Sequence, residues 1–432
     1  MNCEKDKLYP RVLVISNNCL SQHSSNGRTL RNFLVDWPKE NLAQFYIHGD
    51  IPDFSVCDHF YRVTDGQALR AFCCKGRSGG AVTAQETEAL PKTADAKQGR
   101  GRNAMTMLAR ETVWNSGRWG RKAFGQWVKE FDPQLVLLQA GDCGFMFRLA
   151  RNLAKRHQIP LVIYNSEGYY FKKFDYFRAT GFKHKLYPVF YRKFCREFRK
   201  TMADTKAAIY ICEALQQDYD KEFATASHTV YTATEVRPAE KKPHEGFVAS
   251  YLGNLGVGRH EPLIAIANAL QRISPELHLD VYGKAPNEQV QAALESCPGI
   301  CLKGFVPYEQ VVEVMQQSDL LVHGESRDPF YREDLKYGFS TKIADSLASG
   351  TCFFVYAPEE LACARYLREQ QAAYVVSGER ELKDTLRLIV TDPEAKNRYL
   401  SRAAEVVGQN HTTEVSAKRF QDILRKAAEE CQ

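Results

Sequence analysis

Two segments in the second half of the sequence carry residues that can bind phosphate groups. The first, residues 253–259, is a glycine-rich turn that joins a strand-like run to a segment with helical spacing. Glycines let a backbone approach an anion closely, amides at the start of a helix attract negative charge, and Arg259 can add a bidentate contact. Taken alone, the glycines can also serve only the geometry of the turn.

The second segment predicts a helix whose two ends are both marked. Ser340 or Thr341 can cap its start, and Gly350 can close it in the left-handed conformation. The capped start would offer free amides and the Lys342 ammonium to a diphosphate, with Asp345 one turn later placed to accept ribose hydroxyls. An ordinary capped helix with a Lys342–Asp345 pair on its surface is the alternative.

The first half of the sequence offers fewer candidates. A glycine turn at residues 24–30, which includes Gly27, follows the first strand-like run and opens a helix. Glu167 follows the run at residues 161–164, and open α/β sheets place ligands at the carboxyl ends of their strands. We therefore take Glu167 as the candidate that orients or deprotonates an acceptor hydroxyl, with a hydrogen-bonded structural glutamate as the alternative.

Residues 169–200 interleave aromatic side chains with lysines and arginines, and only Asp175 and Glu197 oppose them. This mixture suits an anionic membrane surface, where rings lie at headgroup depth and cations contact phosphates. The same composition suits single-stranded nucleic acid, or simply a helix with an aromatic core face and a solvated basic face.

Length and composition describe a folded chain with more than one core. The chain has 432 residues, of which 44% are hydrophobic and 25% charged, close to globular averages. The net charge of +6 is mild and argues against wholesale coating of nucleic acid. The 13 cysteines lack metal-site spacing, which predicts reduced thiols, and no apolar run approaches the roughly 18 residues of a membrane span.

Short aliphatic runs alternate with longer segments of helical spacing, which predicts parallel sheets with crossover helices. We expect an α/β protein with an N-terminal domain at 1–236, a linker at 237–245, a C-terminal domain at 246–410 and a final helix at 411–432. Residues 75–103 hold few large apolar side chains and predict a mobile insertion in the first domain.

Together, the two phosphate-type segments resemble the donor site of GT-B glycosyltransferases, in particular the retaining enzymes called family 4, over residues 247–380. That family places two cations on the donor diphosphate, and Asn254 and Arg259 stand at their positions. Its later signature has two carboxylates eight residues apart, and Tyr337 and Asp345 stand there. One cation and the first carboxylate are therefore replaced in this sequence.

The resemblance implies two Rossmann-like domains that face an interdomain cleft, and a nucleoside diphosphate sugar as donor, with UDP or GDP favoured. The residues that it implies for the donor are Asn254, Arg259, Ser340, Thr341, Lys342 and Gly27 for the diphosphate, and Asp345, Phe305 and Val306 for the nucleoside. Such enzymes generally use no metal and no cofactor, because a helix start and basic side chains neutralise the leaving diphosphate. The Asp-x-Asp at 218–220 is accordingly expected to be a solvated helix face.

Glu325, just after the strand-like run that ends at His323, joins Glu167 as a candidate catalytic carboxylate. The resemblance also implies that, in a retaining reaction, the leaving phosphate itself can take the acceptor proton. We therefore expect a hexosyl- or related glycosyltransferase that acts on a glycan or lipid-linked acceptor in bacterial surface polysaccharide biosynthesis. Its expected location is the cytoplasm, with peripheral attachment to the inner leaflet of the plasma membrane.

Two other functions fit the same residues. A GT-B-like sugar-nucleotide epimerase would consume the donor without any acceptor. A catalytically silent nucleotide-sugar-binding protein would keep the fold and release no diphosphate, and the replacement of a carboxylate by Tyr337 is compatible with it. Nucleic acid is not expected as a partner.

Overall fold

A computed structural model describes residues 9–22, 24–74, 78–85, 101–120 and 122–430. The chain divides into two compact units, Met1–Tyr231 with Ser416–Gln432 and Thr232–Val415. The second unit is therefore inserted in the sequence of the first. In the part of the chain that the structure describes, none of the helices combines the length and apolar character that crossing a membrane requires.

The first unit is built around one eight-stranded sheet. Its strands are β1 (Val12–Ser16), β2 (Leu42–Tyr46), β3 (His59–Arg62), β4 (Gly80–Val82), β5 (Leu135–Ala140), β6 (Leu161–Asn165), β7 (Ala207–Tyr210) and β8 (Ala226–Thr229). They lie in the order β4-β3-β2-β1-β5-β6-β7-β8, and neighbours are parallel except β3 and β4. The central strands are buried along their whole length, as is typical of a parallel sheet that is covered on both faces.

The connections between these strands contain the helices of the first unit. They are α1 (Ser25–Phe33), α2 (Asp65–Phe72), α3 (Ala104–Asn115), α4 (Lys122–Phe131), α5 (Gly144–His157), α6 (Phe182–Lys185), α7 (Tyr187–Met202) and α8 (Glu213–Asp220). Short polar side chains start several of them, as their chemistry predicts. The Ser24 hydroxyl accepts from the Gly27 amide at the start of α1, and Thr64 forms a capping box with Gln67 at the start of α2.

The second unit has a six-stranded parallel sheet in the order β11-β10-β9-β12-β13-β14. Its strands are β9 (Ala249–Leu252), β10 (Leu279–Tyr282), β11 (Ile300–Gly304), β12 (Leu320–Gly324), β13 (Cys352–Tyr356) and β14 (Tyr374–Val376). Its helices are α9 (His260–Gln271), α10 (Glu288–Glu295), α11 (Tyr308–Gln317), α12 (Pro329–Leu335), α13 (Thr341–Ala348), α14 (Ala362–Glu369), α15 (Glu379–Thr391), α16 (Pro393–Asn397) and α17 (Leu400–Asn410).

The helix α18 (Thr413–Glu429) returns the chain to the core of the first unit. Its Phe420 ring stacks on the Phe33 ring with centroids 4.8 Å apart. The Gln421 side chain donates to the Phe33 carbonyl oxygen, a hydrogen bond between residues 388 positions apart. The core of the first unit is thus built from both ends of the sequence.

The α/β prediction with two Rossmann-like units is confirmed. The segment at 75–103 was expected to be an insertion, and its two described pieces, 78–85 and 101–103, both contribute to regular structure. Residues 80–82 form the edge strand β4, and Asn103 caps the start of α3. Residues 75–77 and 86–100 of this segment lie outside the described residues.

Candidate functional site

The candidates of the second unit gather at the carboxyl ends of its parallel strands. The glycine turn at 253–259 follows β9, Phe305 follows β11 and Glu325 follows β12. The helix α13 begins at the same edge, because a crossover helix runs antiparallel to the strands that it joins. This edge is where sheets of this kind bind ligands.

The predicted capped helix is present as α13. Ser340 is its N-cap residue, and its hydroxyl accepts from the Lys342 amide at 3.2 Å. Ile343 and Leu347 face the core, and the helix closes at Gly350, whose φ of 75° lies in the left-handed region. The Ile343 amide donates to the Ser340 carbonyl oxygen at 3.0 Å, which leaves the Thr341 amide of the first turn directed to the carboxyl edge of the sheet.

Lys342 and Asp345 come together one turn inside this helix. The Lys342 ammonium lies 3.7 Å from Asp345 Oδ2 and 5.0 Å from the centre of the Tyr308 ring. Asp345 is only 2% exposed, so the pair is not the surface pair that was the alternative. Its Oδ1 accepts from the Thr234 hydroxyl at 2.7 Å, whereas Oδ2 makes no hydrogen bond within the described residues. A buried acceptor atom beside a lysine is suited to a hydroxyl group of a ligand.

Arg259 and Glu325, two candidates predicted for different roles, form one ion pair. The guanidinium Nε and Nη2 each donate to a carboxylate oxygen of Glu325 at 2.9 Å. His323 Nε2 lies 3.0 Å from the same carboxylate. Burial alone would raise the pKa of Glu325, but the Arg259 charge and the His323 hydrogen bond lower it to about 2. A carboxylate with so low a pKa is a poor proton acceptor, so Glu325 positions Arg259 rather than acting as a base.

This lowered pKa predicts a pH dependence of stability. Because the folded pKa of about 2 lies below the ordinary 4.5, the contribution of Glu325 is fully present above pH 4.5 and is lost as the pH falls towards 2. The difference in unfolding free energy between the wild type and Glu325→Gln should therefore shrink over that range in urea titrations. A difference that stayed constant, or grew on acidification, would contradict the lowered pKa.

The glycine turn after β9 is shaped by its own side chains. Asn254 Oδ1 accepts from the Gly256 amide at 2.7 Å, so this oxygen fixes the turn rather than presenting itself to a ligand. Val257 and Gly258 then both adopt positive φ values, 51° and 73°. The turn therefore places Arg259 at the start of α9, directed towards Glu325.

Gly258 should tolerate no side chain. A Cβ atom there would lie 2.6 Å from the Ser326 hydroxyl and 2.7 Å from the Tyr331 ring, and the backbone is left-handed. We expect Gly258→Ala to lower the unfolding free energy by about 2–4 kcal/mol, since strain and overpacking add. Urea denaturation measures this. Gly408→Ala in α17 is the control, because its Cβ would meet nothing within 4 Å, and equal losses in both variants would contradict the argument.

The remaining donor-side candidates differ in exposure. Phe305 is 81% exposed and Val306 half-buried, and both lie in the loop between β11 and α11. An exposed ring at a carboxyl edge can stack on a base. Tyr337, at the position of the first signature carboxylate, is buried, and its hydroxyl accepts from the Lys336 ammonium at 2.9 Å.

In the first unit, the carboxyl edge holds Gly27 and Glu167. A Cβ at Gly27 would lie 2.3 Å from the Cys19 carbonyl oxygen, so packing of α1 on the loop after β1 explains this glycine. Glu167 follows β6 and is 47% exposed, and its carboxylate lies 3.6 Å from the Lys172 ammonium. Its carboxylate is therefore partly exposed at this edge.

Sequence reasoning missed Asp142, which follows β5 as Glu167 follows β6. Asp142 is 4% exposed, accepts from the Tyr176 hydroxyl at 2.8 Å and is paired with Arg102. Both polar side-chain atoms of the nearby strand-end residue Asn165 are buried without a hydrogen-bond partner in the described chain. The signal that could have found Asp142 was an acidic residue two positions after a fully buried strand.

The aromatic and basic residues at 169–200 separate by face in α7. Its buried side includes Tyr187, Phe190, Phe194 and Phe198. Its exposed side carries a row of cations: Arg192, Lys193, Arg196, Arg199 and Lys200. The α7 rings on this side therefore belong to the core and its cations face outward, whereas Phe182 of α6 is 69% exposed.

Two groups of side chains in the described chain have the spacing of metal ligands. They are His278, Asp280 and Cys301, and His323, Glu325 and Cys363. The carboxylate of each group already faces a cation, since Lys303 lies 3.3 Å from Asp280 and Arg259 binds Glu325. Each of these carboxylates is therefore already neutralised by a basic side chain, which weakens its attraction for a metal ion. The Asp-x-Asp lies in α8, where Asp218 pairs with Lys221.

Comparisons with known proteins agree with this architecture. Residues 259–423 match a family model described as glycosyl transferase-like, and no curated protein matches the sequence. Sucrose-phosphate synthase from Thermosynechococcus elongatus has a TM-score of 0.63 at 10% identity, over 97% of this chain and 100% of that chain. Anabaena HepE in complex with UDP and glucose gives 0.62 at 10%, over 96% and 100%.

A third structure, the lipopolysaccharide outer core galactosyltransferase WaaB, gives a TM-score of 0.56 at 12% identity, over 95% of this chain and 98% of that chain. The chain has the GT-B fold. The part of the sequence resemblance that concerned the GT-B fold is thus confirmed. At identities near 10% the likeness shows the fold alone, so the chemistry of this GT-B protein has to be argued from its own residues.

Proposed function

We propose that this protein is a glycosyltransferase that moves a hexosyl or related sugar from a nucleoside diphosphate donor to a glycan or lipid-linked acceptor. One observation carries the proposal. The capped start of α13 brings together, at the carboxyl edge of the second unit, the Thr341 amide, the Lys342 ammonium and the Asp345 carboxylate, whose buried Oδ2 accepts no hydrogen bond from a described residue. Amides and an ammonium suit a diphosphate, and the carboxylate suits ribose hydroxyls.

The donor-side roles follow from the contacts. Lys342 and the Thr341 amide stabilise the charge that develops on the leaving diphosphate. Glu325 accepts hydrogen bonds from Nε and Nη2 of Arg259, so Nη1 can donate to a phosphate oxygen. Exposed Phe305 and the backbone at Val306 contact the base. HepE was solved with UDP, which supports a uridine donor.

We propose that transfer proceeds with retention and without a metal. The leaving phosphate then takes the acceptor proton on the face that it vacates, so that the sugar–oxygen bond forms where the sugar–phosphate bond breaks. The low pKa of Glu325 makes that carboxylate a poor base at neutral pH, which supports the phosphate as the proton acceptor. Glu167 and the paired Asp142 in the first unit would orient the acceptor hydroxyl.

We propose that the acceptor belongs to surface polysaccharide biosynthesis on the cytoplasmic face of a membrane. WaaB is a lipopolysaccharide enzyme, which supports a related acceptor class. The exposed cations of α7 would contact anionic headgroups, since each basic residue near such a surface contributes about 1 kcal/mol of attraction. These two features support a lipid-linked acceptor.

A thermal-shift screen against UDP, GDP, ADP, CMP and dTDP tests the donor site. A ligand that binds only the folded state raises its stability by mass action, so one nucleoside diphosphate should stand out. Its sugar conjugates then enter a product assay. Transfer to an acceptor supports the proposal, an altered sugar without transfer indicates an epimerase, and binding without diphosphate release indicates a silent binding protein. No shift from any nucleotide, in folded protein, would overturn the proposal.

A further inference from the structure

A well-formed cavity in the described part of the first unit is lined by helices rather than by strand ends. We call it the Trp groove. It has a volume of about 480 Å³ and lies between the end of α3, the helix α4 and the helix α5. Cavities of this size bind small molecules or a single apolar chain.

The floor of the Trp groove is aromatic. Trp114, Trp119, Phe124 and Phe145 line it, and the Trp114 and Phe145 rings stack with centroids 4.6 Å apart. These side chains are held by one another and by the core, so the floor is rigid. It offers a ligand apolar contact rather than hydrogen bonds.

The Trp groove is kept open by Gly125, in the middle of α4. A glycine inside a helix costs about 1 kcal/mol relative to alanine. Packing gives no reason for it here, because a Cβ at this position would meet nothing within 4 Å. A larger side chain would point into the open space of the groove.

The mouth of the Trp groove is basic. Lys129 and Arg156 line it, are exposed, and make no ion pair with any described residue. His157 lies beside them, whereas Arg148, deeper in the groove, is held by Glu197 at 3.0 Å. An apolar floor below two uncompensated cations is complementary to an anion that carries an apolar chain.

We propose that the Trp groove binds one acyl chain of an anionic membrane phospholipid, with the lipid phosphate at Lys129 and Arg156. The groove adjoins the basic side of α7, because Arg148 and Asn115 also line a second cleft, which includes Lys193 and Arg196 together with Glu111 and Glu197. One face of the first unit thus combines a groove of the size of one acyl chain with several exposed lysine and arginine side chains. Lipid binding in the Trp groove requires no nucleotide, so its test is independent of the proposed transferase activity.

Intrinsic fluorescence tests chain insertion directly. Two of the four tryptophans in the sequence line the groove, and bromine atoms on a lipid chain quench a tryptophan only at contact. Vesicles of phosphatidylglycerol with brominated chains should quench the emission of the full-length protein. Phosphatidylcholine vesicles with the same chains, and soluble glycerol phosphate, should not. Binding to phosphatidylglycerol without quenching would overturn the proposal and leave only attachment through surface charge.

Two variants separate the head and chain contacts. Lys129→Ala with Arg156→Ala should weaken vesicle binding about 25-fold, or fivefold for each cation. Lys383→Ala with Arg387→Ala, which removes the same charge from the exposed side of α15, should leave it unchanged. Gly125→Leu should fold normally and abolish the quenching, because leucine favours a helix and fills the groove. Unaltered quenching in a folded Gly125→Leu protein would overturn the proposal.

Discussion

The Lys342→Ala variant should lose its stabilisation by the nucleoside diphosphate and about 10²–10³-fold of its transfer rate. Removal of one preorganised group that stabilises developing charge typically has an effect of this size. Lys342 lies in the first turn of α13, with its ammonium 3.7 Å from Oδ2 of Asp345. A thermal-shift titration and single-turnover product assays measure the two effects.

A matched control distinguishes ligand binding from fold support. Lys396 resembles Lys342 in its contacts, since its ammonium lies 3.6 Å from Asp319 and 5.8 Å from the centre of the Phe247 ring. Asp319 precedes β12, so this lysine lies at the amino edge of the sheet. Lys396→Ala should keep ligand stabilisation and transfer. Equal losses in both variants, or none in Lys342→Ala, would remove Lys342 from the donor site.

The Glu325→Ala variant should lower the unfolding free energy of the second unit by about 3–5 kcal/mol, because it leaves the Arg259 charge buried without its partner. The Glu325 side chain is only 3% exposed, and the Arg259 side chain 16%. Chemical denaturation followed by circular dichroism measures the loss. Glu360→Ala, which breaks an exposed pair with Arg332, should change stability by less than about 1 kcal/mol.

A double variant tests why the ion pair is present. Replacement of both partners in Arg259→Met with Glu325→Met removes the uncompensated charge, and such replacements are often neutral for stability. We expect the double variant to recover most of the stability lost in Glu325→Ala but not the transfer activity. Recovery of both would show that the pair has only a structural role.

The sequence predicted the elements that local chemistry defines. Ser340, Lys342 and Gly350 mark the ends and the ligand-facing start of α13, and each signal lies within a few residues of the structure it predicts. Eight of the fourteen strands of the described chain were likewise visible as apolar runs, namely β1, β5, β6, β7, β9, β10, β12 and β13. The strands β2, β3, β4, β8, β11 and β14 were not predicted; of these, β4 and β8 are mostly polar or exposed and so leave no apolar run.

The pairings between distant residues could not be predicted in the same way. Arg259 and Glu325 are 66 positions apart, and Thr234 and Asp345 are 111 apart. Which side chains meet depends on strand order and on the direction of each loop, and neither follows from spacing along the chain. For this reason the sequence assigned Arg259 and Glu325 separate roles, and Asp142 was missed at the first carboxyl edge.

Because α18 packs against the first unit, this unit cannot complete its fold until α18 has been translated. The sheet of the first unit is complete by Tyr231, but the segment that begins at Ser416 is translated 185 residues later. At about 5–20 residues per second, the ribosome needs roughly 10–40 s for that stretch. During this time Phe33 and Tyr164 lack the Phe420 ring that later packs against them. The first unit therefore begins to fold first and is completed last, and a nascent chain stalled near residue 400 should expose an apolar patch to chaperones.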